Sequence, residues 1–154
     1  MHLRRIRARV ASAEPVATGY VSGRQLAFHK CGADGSGKAD AAHTGCANDR
    51  VWGVVYSLPE YDKPVLDAYE FLGVGYDSET VLVHLAEGSI YASIYVARSE
   101  AIDPALKPYS WYLRFVLLGA IEHNLPADYL QRLDDVEAEL DRDRERDLQN
   151  IRLV

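Results

Sequence analysis

Residues 51–76 read VWGVVYSLPEYDKPVLDAYEFLGVGY, and this stretch indicates the fold more clearly than any other. Residues 51–58 are apolar, rich in β-branched side chains and followed by a proline, which predicts a buried strand. Residues 63–69 predict a short helix, with Asp62 as a candidate N-cap. The strand and the helix together leave one acid, Glu70, at the helix end.

Glu70 is flanked by Tyr69 and Phe71 and leads into a glycine turn at residues 73–75. A carboxylate among aromatic side chains loses hydration, so its pKa is expected to rise and to suit it to proton transfer near neutral pH. The glycine turn would give a ligand close access to the backbone. The alternative is a solvated glutamate at a helix end, and the local pattern alone favours this alternative.

Outside this stretch, mixed strands come before helices. The predicted elements are a short helix at 2–9, strand-like stretches at 16–28 broken by Gly19 and Gly23, a loop at 35–45, a hairpin of strands 79–85 and 89–97, a helix at 110–123, and a second helix from Ala127 into a charged tail. No repeat or linker divides the chain. This order indicates the α+β class.

The composition is typical of a soluble globular protein. The chain has 154 residues and a net charge of -6, which argues against attraction to nucleic acid or to an anionic membrane. No apolar run approaches the ~20 residues of a membrane span, so the cytoplasm is the expected location. Cys31 and Cys46 form no C-x-x-C pair, and both are expected to be reduced.

Two patterns with a superficial chemical meaning are set aside. Residues 32–38, GADGSGK, match part of a phosphate-binding loop, but Ala39 stands where a hydroxyl would hold Mg²⁺. No helical periodicity follows, so a turn is predicted and nucleotide binding is rejected. The five histidines are scattered without metal-ligand spacing, so no metal site is expected.

Tyr95 is the second candidate for a functional side chain. It lies in the predicted strand 89–97 on the same face as Tyr91 and Ser93, because strand side chains alternate. A tyrosine buried between Ile94 and Val96 needs a hydrogen-bond partner for its hydroxyl. The alternatives are a pocket wall whose hydroxyls orient a polar ligand and an ordinary core or barrel wall.

The order of several motifs resembles the gamma-glutamylcyclotransferase family. The motifs are VWGVVYSL, LDAYE, GVGY, ASIYVA and PYSWYLRFVLLGAIEHNLPADYLQRL, and the resemblance covers residues 1 to about 133. It is carried by three patterns together: V-x-G-x-x-Y, LD-x-x-E, and GA-x-x-x-x-LP-x-x-Y. The predicted organisation is therefore a family domain at 1–133 and a charged helical tail at 134–154, most simply a solvated helix with i, i+4 ion pairs.

The resemblance implies a small mixed β-barrel with flanking helices and no metal or cofactor. Glu70 matches the acid of LD-x-x-E, which in the family is the general base and acid. Tyr76, in the G-x-G-Y setting, and Tyr95, in the A-x-x-Y context, match substrate-binding positions. Gly73 and Gly75 form the matching glycine turn and are expected to contact the substrate.

The implied reaction is cyclisation of a small-molecule gamma-glutamyl amide. The α-amine attacks the γ-carbonyl, a five-membered lactam closes, and 5-oxoproline and a free amine or amino acid are released. A non-catalytic domain that binds a small molecule on the same scaffold is the alternative. The sequence leaves the identity of the leaving group open.

Two departures from the family pattern bear on this choice. Phe71 stands where the family usually has a glycine after the catalytic acid, which is expected to shift the backbone or to narrow the pocket. The family's first strand and its Y-G-S-N loop have no counterpart before HLRRIRAR, so either the start was assigned too late or the chain is a truncation. That loop supplies backbone N–H donors in the family, and full activity is expected only where it is present. A sheet edge left unpaired by that strand favours pairing of two copies, and a homodimer is one expectation.

Overall fold

The computed structural model describes residues 2–152 and has an α+β fold, which confirms the predicted class. Its strands are β1 (Glu14–Ser22), β2 (Arg24–Cys31), β3 (Gly37–His43), β4 (Arg50–Ser57), β5 (Tyr76–His84) and β6 (Ser89–Ala97). Its α-helices are α1 (Leu3–Arg7), α2 (Lys63–Tyr69), α3 (Ser110–Glu122), α4 (Ala127–Asp134) and α5 (Arg144–Ile151). Short 3-10 turns occupy Glu60–Asp62 and Ser99–Ala101. No described helix has the length and apolar character needed to span a membrane.

The strands form two antiparallel sheets and do not close into one hydrogen-bonded barrel. The larger sheet has the order β4-β1-β5-β6, and β2 and β3 form a separate hairpin. The hairpin packs against β6, where the backbone N–H of Ala97 donates to Asp40 Oδ1 at 2.8 Å. In place of the predicted barrel there is a four-stranded sheet and a separate hairpin, and a side-chain contact joins them where a closed barrel would have a backbone ladder.

Gly19 does not break its strand, contrary to the sequence prediction. β1 runs through it and touches β5 at a single pair, Tyr20 and His84. A Cβ on Gly19 would lie 2.4 Å from the carbonyl oxygen of His84. The glycine therefore allows a close approach of two strands, whereas Gly23, at φ +75°, makes the turn that was expected.

The stretch predicted as a loop at 35–45 contains strand β3. Its residues are small and polar, which is a weak local signal for a strand. Pairing with β2, in which Leu26 lies opposite Ala41, supplies the order that the local sequence does not. Tertiary pairing overrode local propensity, and the preceding turn that was predicted from GADGSGK is present between β2 and β3.

The C-terminal tail also differs from its prediction. Helix α4 ends at Asp134 and helix α5 begins at Arg144, so the tail is not one continuous helix. Between them, Asp141 is only 6% exposed and accepts a hydrogen bond from Trp111 Nε1 at 2.9 Å. The tail is anchored on α3 by a buried carboxylate, which a pattern of alternating surface charge does not reveal.

The main hydrophobic cluster lies where α3 and α4 meet strands β2 and β4. Its buried members and the partly buried side chains around them are Ala120, Leu125, Tyr129, Leu133, Leu26, Trp52, Val116, Leu117 and Leu130. This packing fixes the helical wall of the cavity described next. Asp62 is the N-cap of α2 by position, but its side chain caps no backbone N–H and instead accepts from Ser12 Oγ at 2.5 Å.

Candidate active site

A cavity of about 520 Å³ lies between the β2–β3 hairpin, β4, α1, α3 and the turn after α2. A volume of this size suits a small molecule. Polar side chains that border it include Arg5, Arg9, Lys30, Glu70, Tyr76 and Tyr95. The cavity thus brings together three of the five residues predicted for the site, from three separate parts of the chain.

Glu70 occupies the C-cap of α2 and also borders a second, more apolar cavity of about 750 Å³ against β4 and β6. Its side chain is 15% exposed. Arg9 Nη1 donates to Oε1 at 2.5 Å. Among described residues this is the one hydrogen bond to the carboxylate, so further acceptor sites on Glu70 are open to a ligand.

The aromatic surroundings of Glu70 differ from those that its sequence neighbours suggested. Phe71 is 60% exposed and Tyr69 is 51% exposed, so neither encloses the carboxylate. Tyr76, Tyr95 and Tyr112 are close enough to sense its charge. Burial raises the pKa of all three tyrosines and the Glu70 charge adds to this effect, so their hydroxyls stay protonated.

The pairing of Glu70 with Arg9 is a feature that the sequence analysis missed. The guanidinium is an opposite charge in direct contact with the carboxylate and gives it a charge-assisted hydrogen bond. The guanidinium of Arg9 also lies 5.6 Å from the ring centroid of Tyr69. The signal in the sequence was the run of arginines at residues 4–9, in α1 and just after it, and nothing local connected it to an acid 61 residues away.

The turn after Glu70 has an unusual backbone. Phe71 has φ +52°, a left-handed conformation that is strained for a bulky residue, and Gly73 has φ +79°. Glycine adopts positive φ without a steric cost, so the glycine that the resemblance places after the acid would fit this turn without strain. Gly73 and Gly75 do not border the cavity of about 520 Å³; they shape the turn, and their predicted contact with substrate stays a prediction.

Tyr76 is buried at the start of β5. Its hydroxyl donates to the backbone oxygen of Ala39 at 2.8 Å, and the backbone N–H of Ala39 donates to the hydroxyl of Tyr112 at 3.1 Å. The hydroxyls of Tyr76 and Tyr112 therefore bind the backbone C=O and N–H of Ala39, and these two bonds hold β3 against the cavity wall. The role of Tyr76 in binding substrate stays a prediction.

Tyr95 has the hydrogen-bond partner that its position required. Its hydroxyl donates to Asp67 Oδ1 at 2.5 Å, and Asp67 also accepts from Lys63. Burial alone would raise the pKa of Asp67, but the hydrogen bonds from Lys63 and Tyr95 lower it. Asp67 lies one turn before Glu70, so the LD-x-x-E motif supplies both the candidate acid and the carboxylate that orients a tyrosine beside it.

Arg5 is a second cation that the sequence analysis missed. Its guanidinium lies 4.7 Å from the ring centroid of Phe115 and 5.8 Å from those of Trp111 and Tyr112. Burial, followed by the like charge of Arg9, lowers its pKa. Helix α3 thus provides an aromatic wall on which a cation of α1 rests. No group of three or more metal-binding side chains occurs within residues 2–152.

The chain is similar to known proteins both in sequence and in fold. The sequence model of the AIG2-like family matches residues 50–133, more than half of the chain. No curated protein matches. The matched segment contains the strand β4, the helix α2 with Glu70, the β5–β6 hairpin and the helical wall, but not Arg5, Arg9 or Lys30.

Solved structures with the same fold include an uncharacterized protein from Homo sapiens, at TM-score 0.82 and 23% identity over 96% of this chain and 92% of that one. A gamma-glutamyl cyclotransferase superposes at a TM-score of 0.80 with 23% sequence identity, over 94% of this chain and 90% of that one. YkqA from Bacillus subtilis superposes at a TM-score of 0.73 with 17% sequence identity, over 89% of this chain and 51% of YkqA. These likenesses confirm the resemblance drawn from the motifs, at the level of the fold.

Proposed function

Because this chain belongs to the AIG2-like family and is gamma-glutamylcyclotransferase-like, we propose that it cyclises a gamma-glutamyl amide to 5-oxoproline with release of an amine. The proposal rests on the position and the hydrogen bonding of Glu70. It borders the cavity of about 520 Å³ and has one hydrogen-bond donor, Arg9, among described residues. Such a carboxylate can accept a proton from a bound substrate.

In the proposed reaction the α-ammonium of the substrate first gives a proton to Glu70. The freed amine attacks the γ-carbonyl carbon, a C–N bond forms, and a five-membered tetrahedral intermediate results. When the original C–N bond breaks, Glu70 returns this proton to the departing nitrogen, and it then passes the second proton of the lactam nitrogen to the released amine. Overall, the α-nitrogen loses two protons and the departing nitrogen gains two, so the amine leaves as an ammonium and charge is conserved.

The protein groups around the cavity suit this sequence of steps. Ring closure is intramolecular, so the main requirement is a folded substrate conformation, which an enclosing cavity can impose. The positive charge of Arg5, which has aromatic rather than carboxylate partners, favours the oxyanion that develops on the γ-carbonyl. Tyr95, held by its hydrogen bond to Asp67, gives the cavity a polar side chain of fixed orientation.

The test is Glu70→Gln, assayed by release of 5-oxoproline from a panel of gamma-glutamyl amino acids and gamma-glutamylamines. Turnover should fall by at least ~10²-fold, because glutamine keeps the shape but cannot take up a proton. The matched control is Glu87→Gln, an exposed acid in the β5–β6 turn, which should leave turnover unchanged.

Two results would contradict the proposal. Unchanged turnover in Glu70→Gln would remove Glu70 from the chemistry. No release of 5-oxoproline by the wild-type chain from any compound, despite measurable binding, would favour the alternative of a non-catalytic binding domain on the same scaffold.

A further inference from the structure

We propose that Lys30 binds a carboxylate group of the substrate, at a subsite formed with Phe71 and Tyr76 beside Glu70. The inference rests on the proposed function, since it takes the ligand to be a gamma-glutamyl compound. It adds an electrostatic requirement to that function. The ligand must carry a negative charge on the side of the cavity that the β2–β3 hairpin covers.

Lys30 is a buried cation without a counter-charge from the protein. It is 9% exposed, lies on β2 and borders the cavity of about 520 Å³. Its Nζ lies 5.0 Å from the ring centroid of Tyr76 and 5.9 Å from that of Phe71. Within residues 2–152 no carboxylate oxygen lies within 4.0 Å of it. The Lys30 side chain is thus largely buried, and its ammonium lacks the carboxylate partner that charges in such surroundings normally have.

Lys38 provides the contrast on the same hairpin. It lies opposite Lys30 in the β2–β3 register. Its Nζ donates to Asp34 Oδ2 at 2.6 Å and to Ser36 Oγ at 2.8 Å. One lysine of the pair is neutralised by the turn between the strands and the other is not, so Lys30 is the one available to a ligand.

The charges around the cavity point to the same ligand chemistry. Among described residues that line it, four cations (Arg5, Arg9, Lys30 and Lys38) face two carboxylates (Asp34 and Glu70). The excess of two positive charges favours an anionic occupant, although the whole chain carries -6. The positive wall is therefore a local feature of the cavity and not a consequence of overall composition.

Lys30 lies against the turn that follows Glu70, so we expect the anion that Lys30 binds to belong to the substrate itself. A Cβ built on Gly75 would lie 2.9 Å from Lys30 Nζ, so the ammonium rests against the turn that begins directly after Glu70. A gamma-glutamyl amino acid carries a carboxylate on its α-carbon and another on the leaving group. Either can lie within a few bonds of the reacting nitrogen, and a lysine, as a compact charge with three donors, can bind either.

The experiment measures binding by calorimetry in the Glu70→Gln background, where turnover does not consume the ligand. The probes are gamma-glutamylglycine, which has both carboxylates, and gamma-glutamylethylamide, which has only the α-carboxylate. Adding Lys30→Met should weaken binding of at least one probe by about 10- to 100-fold, the loss expected for a hydrogen bond between charged groups. Adding Lys30→Arg instead should restore most of the affinity.

The two probes distinguish the two carboxylates. Equal weakening of both assigns the α-carboxylate to Lys30, and weakening of gamma-glutamylglycine alone assigns the leaving-group carboxylate. The matched control is Lys107→Met, which removes the same charge from outside the cavity, where Lys107 pairs with Glu137, and should change affinity by less than about twofold. Circular dichroism and urea midpoints confirm that each variant is folded.

Three outcomes overturn the proposal. The first is affinity for both probes within about twofold of the parent in a folded Lys30→Met or Lys30→Gln variant, below the loss expected for a charged hydrogen bond. The second is equal weakening by Lys107→Met, which would indicate a general field instead of a specific contact. The third is no binding of either probe by the parent. Binding that depends on Lys30 without 5-oxoproline release by the wild-type chain would keep this inference and reject the proposed reaction.

Discussion

The molecule contains two acid–arginine pairs with similar N–O distances but different surroundings, Glu70 with Arg9 and Asp141 with Arg146. Arg9 reaches Glu70 at 2.5 Å through a single nitrogen, and the carboxylate borders a cavity. Arg146 binds both oxygens of Asp141 at 2.6 Å, and Trp111 Nε1 and the backbone N–H of residue 143 add further donors. The Asp141 carboxylate is saturated with donors and the Glu70 carboxylate is not.

This difference separates a structural acid from a candidate chemical one. A carboxylate has about four lone-pair sites, so four donors leave no room for a ligand, whereas one donor fixes its orientation and leaves the rest free. Asp141 holds the C-terminal tail against α3, whose tryptophan forms part of the cavity wall. The variants below test whether the two pairs differ as their geometry indicates.

The largest effect on folding is expected for Asp141→Ala. This change leaves the guanidinium of Arg146 and the indole N–H of Trp111 without their acceptor, which should lower the free energy of unfolding by about 3 kcal/mol. Asp143→Ala is the matched control, because Asp143 caps α5 and should cost only about 1 kcal/mol. Urea denaturation gives both values, and equal losses would show that Asp141 is no more than a surface acid.

The Asp141 carboxylate should also make the stability of the fold depend on pH. Hydrogen bonding from Arg146, opposed by burial, lowers the pKa of Asp141 to about 2, below the ordinary value of about 3.9. A depressed pKa in the folded state means that the stabilisation is complete above about pH 4 and is lost as the pH falls through about 2. The loss of stability between these values should be smaller in Asp141→Ala than in the wild-type chain.

An intermediate effect, on activity, is expected for Arg9→Gln. Without the guanidinium the Glu70 side chain loses the one donor that the described residues give it, and with it a fixed orientation, so kcat should fall about tenfold while KM changes little. Arg9→Lys should recover part of the loss, because it keeps a positive charge at the same place. Arg7→Gln is the control, since Arg7 pairs with Glu14 at the surface. Equal rates for Arg7→Gln and Arg9→Gln would mean that the pair has no role in turnover.

The smallest effect is expected for Phe71→Gly, which tests the backbone between Glu70 and the glycine turn. Relief of the positive φ should contribute about 1–2 kcal/mol, and the added flexibility of the unfolded chain should cost about 0.5–1 kcal/mol. Thermal denaturation should therefore show equal or slightly higher stability. Asn124→Gly is the control at φ +53°, where asparagine is already well tolerated. A loss above about 2 kcal/mol in Phe71→Gly would show that the ring itself holds the turn.

Elements with strong local periodicity were predictable from the sequence. The strand at 51–58 appears as β4 (Arg50–Ser57), the helix at 63–69 as α2, and the hairpin as β5 and β6. Strand β3 was missed because alanine, glycine and short polar residues carry little strand propensity of their own. The tail was misread because its alternating charges concealed one aspartate that is buried.

For the candidate site, the sequence identified the residues that lie within motifs and missed those that reach it from elsewhere. Glu70, Tyr76 and Tyr95 were found, and all three border the cavity. Arg9 and Lys30 were not, because each meets the turn after α2 only through tertiary packing. Their proposed roles in binding and catalysis remain to be tested by the variants above.

The sequence alone determined the class of fold, the family and the position of one candidate acid, since these follow from local patterns and from their order along the chain. Only the tertiary structure decided which charges surround that acid. The pairing of Glu70 with Arg9 joins residues 61 positions apart. On the β2–β3 hairpin Asp34 pairs with Lys38, whereas no carboxylate oxygen of residues 2–152 lies within 4.0 Å of Lys30. Electrostatic environment depends on distance in space, and a linear sequence does not contain that distance.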